Sequence, residues 1–341
     1  MPNKKNINIV WLKRDLRLTD HVPLYHAIQK QENFLILYVY EPSLIADVHH
    51  DERHWRFIEQ SLSDIQQELL VHDKKLTVTF GEATEIFKLL IEEYSIKNIF
   101  SHEETGLKIT YSRDEKLSLL FKKYHITWHE YPSNAVIRGL TNRKNWEKHW
   151  DNVMRAPIER INLLGAKILH HDFYPKKLPT FPTNKLYQKG GFKSAHMELS
   201  SFFIDRGSEY FKHISKPEKS RHTCSRLSPY ISYGNISIRE IYQTLLKSWD
   251  RPGWRRSMIA LSSRLHWHCH FIQKFESEIA IENEPINSGY RNFPYLIVDK
   301  SHSDFKLWAH GKTGYPLVDA SMRALQSSGY LNFRMRAMLV S

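Results

Sequence analysis

Short apolar runs alternate with amphipathic stretches over the first 130 residues. Five runs have the length and the content of strands: 8–12, 34–40, 75–80, 96–100 and 126–130. Between them, apolar positions recur at helical spacing over residues 53–70, 83–94 and 113–123. Because parallel strands are joined by right-handed helical crossovers, this alternation predicts a doubly wound parallel sheet in an α/β domain.

The pattern changes after the fifth run. Prolines and a Gly-Gly pair are dense over residues 131–195, which predicts a long connector. Strand signals then nearly vanish, and periodicity predicts helices over residues 196–212, 237–249, 254–276, 317–327 and 332 to the end. We therefore expect an α/β domain over residues 1–130, then the connector, then an all-α domain over residues 196–341.

The loop after the first strand lacks a glycine-rich phosphate-binding sequence. Lys13-Arg-Asp-Leu-Arg-Leu-Thr-Asp20 stands where G-x-G-x-x-G would follow the strand, which excludes a standard dinucleotide site. From the residues alone, we interpret it as a solvated loop. Its Asp20 would cap the helix that carries Pro23 in its first turn.

Charge and composition narrow the choice of partners. The 341 residues carry a formal net charge of +12, and 13% of them are aromatic. This basic excess favours nucleic acid as a partner, although solubility charge without a partner would explain it too. Two cysteines, Cys224 and Cys269, imply no disulfide framework, and we recognise neither a signal peptide nor a membrane-spanning run. We expect a cytoplasmic monomer without membrane contact.

Hydroxyl side chains surround one arginine ahead of a helical segment. Thr223, Ser225 and Ser228 flank Arg226. Hydroxyl groups and free backbone N–H groups at a helix start form an anion site, to which an arginine adds charge. The alternative is an ordinary helix cap with a turn.

The helix predicted over residues 254–275 has two distinct faces. One apolar stripe is expected to face the core: Met258, Leu261, Leu265 and Ile272. Arg264, Trp267 and Phe271 share another face, because they are spaced three and four residues apart. An arginine with two rings on one face suits the stacking of bases. The alternative places both rings in the core.

Two histidines of this helix, His266 and His270, have the spacing of metal ligands. Trp267 stands where the H-E-x-x-H motif has its glutamate, and no second ligand pair shows metal-like spacing. We therefore predict no metal site.

The last helical segment begins with a cap and two arginines. Asn332 is expected to cap it, and at least one of Arg334 and Arg336 is expected to be partly buried. A buried guanidinium needs an anion, either a carboxylate such as Asp319 or a partner absent from this sequence. The alternative is a surface pair with apolar stems packed on the protein.

Four segments of the chain resemble the photolyase/cryptochrome family. Asn8–Asp20 is similar to its opening strand and loop, and Ser225–Gly234 to its flavin-diphosphate loop. Gly311–Ala320 and Gly329–Arg336 resemble two later segments of its flavin domain. The resemblance implies U-shaped FAD in the helical domain and an antenna chromophore of unknown type near the α/β domain. It also implies a lyase that uses blue light to transfer an electron from reduced flavin to a pyrimidine dimer flipped out of DNA.

The resemblance also implies roles for individual residues. Ser225 and Ser228 would bind the FAD diphosphate, and Arg336 would belong to the flavin site. Trp267 and Arg264 would lie at the lesion pocket. The other residues implied at the cofactor flank the two serines: Thr223, Cys224, Arg226 and Leu227.

The chain departs from the family at several positions. Arg264 stands where enzymes that repair cyclobutane dimers usually carry Glu, His268 replaces an Arg, and Asn332-Phe333 replaces His-Asn. One tryptophan of the family's electron relay would fall near Val298. These differences leave open the lesion type and the choice between repair and a cryptochrome-type photoreceptor.

The sequence ends at Ser341 within apolar helical sequence, where members of the family continue. We therefore expect the helical domain to be incomplete. This leaves a flavin-free nucleic-acid-binding fragment as a third hypothesis.

Overall fold

The computed structural model describes residues 4–173, 178–294 and 299–340. Its N-terminal half contains five strands: β1 (Asn6–Leu12), β2 (Phe34–Tyr40), β3 (Thr77–Phe80), β4 (Ser95–His102) and β5 (Thr127–Tyr131). Five helices alternate with them: α1 (Val22–Gln29), α2 (Pro42–Ile45), α3 (Glu52–Leu70), α4 (Ala83–Glu93) and α5 (Lys108–Lys123).

The strands form one parallel sheet in the order β3-β2-β1-β4-β5. The doubly wound sheet predicted from the sequence is therefore confirmed. All seven residues of β2 are buried, because helices cover both faces of the sheet. Even-numbered residues such as Ile36 pack with α1 and α3, whereas odd-numbered residues such as Leu37 pack with α4 and α5.

The order of the strands reverses between β1 and β4. In a doubly wound sheet, such a reversal opens a crevice beyond the carboxyl ends of the two strands, and ligands bind there. The fold therefore places the residues after Leu12 and after His102 at a crevice.

The C-terminal half is helical. Its elements are α6 (Trp146–Arg155), the short strand β6 (Ile168–Leu169), α7 (Phe192–Ser201), a π-helix (Phe202–Arg206), α8 (Tyr210–His213), α9 (Pro217–Thr223), α10 (Ser228–Ser232) and α11 (Ile238–Lys247). They continue with α12 (Arg255–Ser277), 3-10 turns at Ile279–Glu282 and Ser288–Tyr290, α13 (Ser303–Ala309), α14 (Pro316–Ser328) and α15 (Phe333–Val340).

The residues between the two halves pack into both cores. Helix α6 inserts Trp146 and Trp150 into the core of the helical half, where they meet α11 and α12. Strand β6 instead pairs with the start of β2 and extends the sheet. The chain thus crosses between the two halves more than once.

The loop between β1 and α1 lies in the seam between the two halves. Asp15 and Asp20 are each only 4% exposed, so the prediction of a solvated loop was wrong. The Asp20 carboxylate accepts hydrogen bonds from the Arg239 guanidinium at 2.9 Å and from the Glu159 backbone N–H. Helix α1 is capped by His21, whose Nδ1 accepts from the Leu24 N–H at 3.1 Å. The cap of α1 is therefore His21, and not Asp20 as the sequence predicted.

Gly234 lets the two halves come into close contact at this seam. Its φ is 68°, and a Cβ there would lie 2.3 Å from the carbonyl oxygen of Arg14. Arg17 donates a hydrogen bond to the Gly234 carbonyl at 3.0 Å. A side chain at this position would force the loop and the helical half apart.

Candidate functional site

The predicted hydroxyl loop joins α9 to α10 around a strained residue. Arg226 has a φ of 61°, in the left-handed region that residues with a Cβ seldom adopt. Leu227 is 1% exposed and anchors the loop in the helical core. The Thr223 hydroxyl donates to the Lys219 carbonyl at 3.0 Å. The Arg226 guanidinium lies 3.9 Å from the centre of the Tyr330 ring.

Three arginines lie around Cys224 at this loop. Arg206, Arg226 and Arg264 each lower the pKa of the Cys224 thiol, although burial outweighs them and raises it. Within the described ranges, only Arg206 has a carboxylate partner, Glu198. The cluster thus carries positive charge that the described residues do not neutralise.

This excess charge fits an anionic cofactor. Burial lowers the pKa of Arg226, so an anion beside it would restore a favourable environment for its charge. The Asn332 side-chain nitrogen is also buried without a hydrogen-bond partner. The residues at this loop therefore suit the diphosphate and polar edges of a dinucleotide such as FAD.

Helix α12 presents an aromatic face to solvent. Trp267 is 45% exposed and Phe271 is 55% exposed, so the alternative that both rings are core was wrong. Their ring centres lie 5.8 Å apart in an edge-to-face arrangement, and the Arg264 guanidinium lies 5.1 Å from the Trp267 ring centre. We call Arg264, Trp267 and Phe271 the α12 platform. Of the predicted core stripe, Met258, Leu261 and Leu265 are buried.

The α12 platform adjoins the arginine cluster. Arg264 belongs to both, because its side chain also interacts with Tyr210 and with the Cys224 thiol. The structure thus brings predicted residues from the loop and from α12 into one region.

Among the described residues, Arg336 makes no direct contact with the arginine cluster or with the α12 platform. Its guanidinium donates to the Leu331 carbonyl at 3.0 Å, and both Arg334 and Arg336 are exposed. The prediction that at least one of them is partly buried was wrong, because Met335 is the residue that α15 turns inward.

Asp319 is also not the partner of Arg336. Its carboxylate accepts from the Thr313 N–H at 2.8 Å, the Thr313 hydroxyl at 2.7 Å and the Gly314 N–H at 3.0 Å. These bonds lower the pKa of Asp319, with the Thr313 hydroxyl as the largest cause, and fix the turn that leads into α14. The predicted Asn332 cap is confirmed, since its side-chain oxygen accepts from the Met335 N–H at 3.0 Å.

The two candidate metal ligands of α12 have other roles. The His266 ring packs edge-to-face against Trp146 and Trp150, and His270 Nδ1 lies 2.7 Å from the Arg143 guanidinium. Both histidines thus serve the packing between α6 and α12.

A cavity that the sequence did not predict lies at the strand-order reversal. It has a volume of about 350 Å³ and runs from the ends of β1 and β4 to the wall formed by α12. We call it the interdomain cavity. Its lining includes polar residues from the sheet side and rings from α12: Asp15, His102, Glu104, Phe271 and Phe275. Asp15 was missed because its loop was interpreted as solvated, and no sequence pattern singled out Glu104.

Asp15 holds two buried histidines at this cavity. Its Oδ2 lies 2.6 Å from His102 Nδ1 and 2.9 Å from His21 Nε2. The ligand atoms of these three side chains lie within 4.8 Å of one another, a spacing that suits a metal ion. However, His21 Nδ1 already accepts the Leu24 N–H, so any ring proton of His21 lies on Nε2, the nitrogen that faces Asp15. We therefore interpret the cluster as a carboxylate held between two histidine rings, with a hydrogen bond to His102 and a close polar contact with His21.

A second, smaller cavity of about 80 Å³ lies beside it, at the ends of β1 and β2. Trp11, Tyr38 and Trp55 supply aromatic walls, and Glu41 and Arg113 line its polar side. Arg113 Nη1 donates to Glu41 at 2.7 Å. Burial opposes the charge of Arg113, but the neighbouring carboxylates raise its pKa.

Comparisons with known proteins identify the fold and the cofactor. Residues 8–151 match the family model described as DNA photolyase, and residues 260–341 match the FAD binding domain of DNA photolyase. The cryptochrome DASH of Idiomarina loihiensis is 24% identical over 96% of this chain and 76% of its own length. The deoxyribodipyrimidine photo-lyase of Alkalihalophilus pseudofirmus is 26% identical over 100% of this chain and 74% of its own length.

Solved structures share the architecture. A Synechocystis cryptochrome superposes with a TM-score of 0.83 at 22% identity, over 99% of this chain and 75% of its own. An archaeal photolyase from Sulfolobus tokodaii superposes with a TM-score of 0.74 at 22% identity, over 98% of this chain and 73% of its own. That photolyase was crystallised with two FAD molecules, which implied a novel light-harvesting cofactor.

Fold, loop and matched models together define a flavoprotein with the DNA photolyase architecture. The chain belongs to the photolyase/cryptochrome family, and FAD is its cofactor. The hypothesis of a flavin-free fragment is therefore not retained. Val298, near which a relay tryptophan would fall, lies outside the described residues. Within the described ranges, no helix combines the length and the apolar content needed to span a bilayer.

Proposed function

We propose that the protein is a blue-light-driven lyase that repairs pyrimidine dimers in DNA. The α12 platform is the observation that supports this proposal most directly. Two adjacent rings at 45% and 55% exposure, with a guanidinium 5.1 Å from the first ring, offer a flat surface that suits a stacked partner. Bases of a flipped-out lesion are such a partner, and a dimer is easily flipped because it stacks poorly.

The residues around the platform would divide the work. Ser225 and Ser228 would bind the FAD diphosphate, and Arg226 would add charge there. The residues beside them would complete that loop: Thr223, Cys224 and Leu227. Arg264 and Trp267 would hold the lesion, and Arg336 would approach the flavin. Bound FAD, in its reduced form, supplies the electron that light releases.

The net charge of the chain supports DNA as the partner. At +12, the protein attracts a polyanion from a distance and releases counterions on binding. We place this activity in a cytoplasmic monomer, in keeping with the two free thiols Cys224 and Cys269.

A light-harvesting chromophore would occupy the interdomain cavity. The cavity is large enough for a flat ring system, at about 350 Å³, and rings of α12 line it. The second FAD of the archaeal photolyase gives a precedent for such a cofactor in this fold.

A cryptochrome-type photoreceptor is the second candidate. Arg264 favours it, because a guanidinium at the platform cannot accept the hydrogen bonds that a carboxylate would accept from thymine N–H groups. A photoreceptor would bind FAD and respond to light without converting the lesion.

The test combines an absorption spectrum with a repair assay. The purified chain is loaded with FAD, reduced, and illuminated with blue light in the presence of dimer-containing DNA. Repair that requires light and Trp267 supports the proposal, with Tyr124→Ala as a control at an exposed ring of α5's end. A flavin spectrum without repair identifies the photoreceptor, and failure to retain FAD contradicts both.

A further inference from the structure

One buried residue of α12 is polar where the core stripe would continue. Met258, Leu261, Leu265 and Cys269 are buried at spacings of three and four residues. The next position of this stripe is Gln273, which is 0% exposed. An apolar side chain would serve the packing there, whereas a buried amide needs hydrogen-bond partners. The partners of the Gln273 amide therefore show what this residue does.

The Gln273 amide binds the segment that leads from β5 to α6, residues 137–146, which we call the α12 strap. Its Oε1 accepts the Ile137 backbone N–H at 2.8 Å and the Trp146 indole N–H at 3.2 Å. Its Nε2 donates to the Ile137 carbonyl at 2.9 Å. Turning the amide over would break these bonds, because donors would face donors and acceptors would face acceptors. The network thus holds α12 in one setting against the strap.

The α12 strap also contacts the two preceding turns of the helix. Arg143 Nη1 lies 2.7 Å from His270 Nδ1. The His266 ring packs edge-to-face against Trp146, with 5.1 Å between the ring centres. Because His266, His270 and Gln273 are spaced four and three residues apart, they share one face of α12. The strap therefore covers a single face of the helix.

This covered face and the α12 platform are neighbours around the helix. Trp267 follows His266 in the chain, and Phe271 follows His270. Successive residues of an α-helix are about 100° apart, so a rotation of α12 by one position would carry the platform rings into the strap. In the last two turns of α12, Gln273 is the one residue that is buried. The direction in which Phe271 faces therefore depends on the bonds that Gln273 makes.

We propose that Gln273 is the positioning residue that fixes the rotation of the last two turns of α12 and so presents the platform rings to a flipped-out base. The inference rests on the proposed lesion binding and adds a residue that acts through Trp267 and Phe271. Apolar burial is non-directional, whereas the three hydrogen bonds of the amide have a direction. Loss of the amide should therefore loosen the rings without emptying the core.

Fluorine-19 nuclear magnetic resonance measures the setting of the Trp267 ring directly. The FAD-loaded chain carries 5-fluorotryptophan, and the Trp267 signal is assigned by its loss in Trp267→Phe. We expect one sharp signal for wild type. Gln273→Leu keeps a side chain in the core but forms none of the three bonds, so its Trp267 signal should shift or broaden.

Gln243→Leu is the matched control. Gln243 Nε2 donates to the carbonyls of Met154 at 3.1 Å and Ala156 at 2.7 Å, and so joins α11 to the end of α6. Loss of these bonds should also lower stability, which thermal melts compare between the two leucine variants. The Trp267 signal of Gln243→Leu should nevertheless stay as in wild type.

Gln273→Glu tests the hydrogen bonds with almost no change in side-chain size. A neutral carboxyl group has a carbonyl oxygen for the two N–H groups and an O–H for the Ile137 carbonyl, whereas a carboxylate only accepts. Burial beside a carbonyl favours the neutral form. The Trp267 signal should therefore match wild type at pH 5.5 and resemble Gln273→Leu at pH 8.5, with wild type recorded at each pH. This variant decides the matter even where Gln273→Leu does not fold.

Binding of DNA is the second readout. We expect Gln273→Leu to bind dimer-containing DNA about three- to tenfold more weakly than wild type, since a loosened ring keeps only part of the value of one stacked base. Gln243→Leu should bind this DNA as wild type does.

A Trp267 signal in folded Gln273→Leu that coincides with the wild-type signal overturns the inference, as does an equal change in Gln243→Leu. The same deviation of Gln273→Glu from wild type at both pH values overturns it too. The signal is recorded without DNA, so these failures leave the proposed repair standing. Absence of lesion binding by wild type instead contradicts the proposed function itself.

Discussion

At the scale of single residues, burial changes the protonation of the side chains in the seam. The Asp15 carboxyl loses hydration, which raises its pKa, but its contacts with His21 and His102 hold the pKa well below the usual value. His102 shows the opposite balance, since burial lowers its pKa to about 4. The seam thus contains a charged carboxylate beside a neutral imidazole ring.

This pair makes stability depend on pH. Between pH 6.5 and pH 4 the unfolded chain binds a proton at His102 that the folded chain excludes. Unfolding free energy should therefore fall by about 2 kcal/mol from pH 7 to pH 5 on account of this residue. Urea denaturation at both pH values measures this decrease in unfolding free energy. The decrease should be smaller in the His102→Gln variant.

Trp267 gives a second prediction at this scale. Because its ring is 45% exposed, Trp267→Ala should change the unfolding free energy by less than about 0.5 kcal/mol. The Trp267→Ala variant should bind dimer-containing DNA more weakly, with a loss of about 1–3 kcal/mol of binding free energy, the value of one stacked base. Titration of labelled DNA measures the drop, and Tyr124→Ala should show none. Equal affinities for wild type and Trp267→Ala would remove the platform from the binding surface.

At the scale of elements, the cap of α15 determines whether this short helix forms. The helix has eight residues, and the Asn332 side chain binds the Met335 N–H at 3.0 Å. Isolated helices of this length are unstable, so the cap and the burial of Met335 hold it.

Replacing the cap should loosen α15 selectively. Asn332→Ala should lower the unfolding free energy by about 0.5–2 kcal/mol, and amide exchange should rise first over Phe333–Val340. Asn283→Ala, at an exposed position, serves as the control. Uniform exchange across the chain would contradict the local role of the cap.

Elements were predictable where periodicity dominates. The runs at 34–40 and 53–70 became β2 and α3 almost unchanged, because each has a single strong pattern. The helix predicted over 196–212 instead breaks at the π-helix Phe202–Arg206, where Gly207 N–H bonds the Phe202 carbonyl five residues back. Local periodicity does not show which turn will widen to let a ring such as Phe202 enter the core.

The candidate site was predictable in part, for related reasons. Helical spacing put Arg264 and Trp267 on one face, and the structure shows them in contact. Asp15 and Asp20 looked like solvated loop residues, since nothing in the local sequence shows that Arg239 lies against the loop. Burial of that loop depends on contacts between residues more than two hundred positions apart.

At the scale of the whole molecule, charge governs association. With a net charge of +12, binding to undamaged duplex DNA should weaken steeply as sodium chloride rises. In a plot of the logarithm of the binding constant against the logarithm of the salt concentration, Arg264→Gln should reduce the slope by about 0.9, the value for one phosphate contact. Lys122→Gln, on α5, should leave it unchanged. An identical slope for Arg264→Gln would place the DNA backbone elsewhere on the surface.

Phe271 belongs to the platform and also lines the interdomain cavity. The ring of one α12 residue would therefore contact both a base on the platform and a ligand in the cavity. A change at Phe271 would therefore alter both binding places at once. The buried stripe of Met258, Leu261 and Leu265 anchors α12 in the core, so the packing of this stripe would set the position of the Phe271 ring for both places.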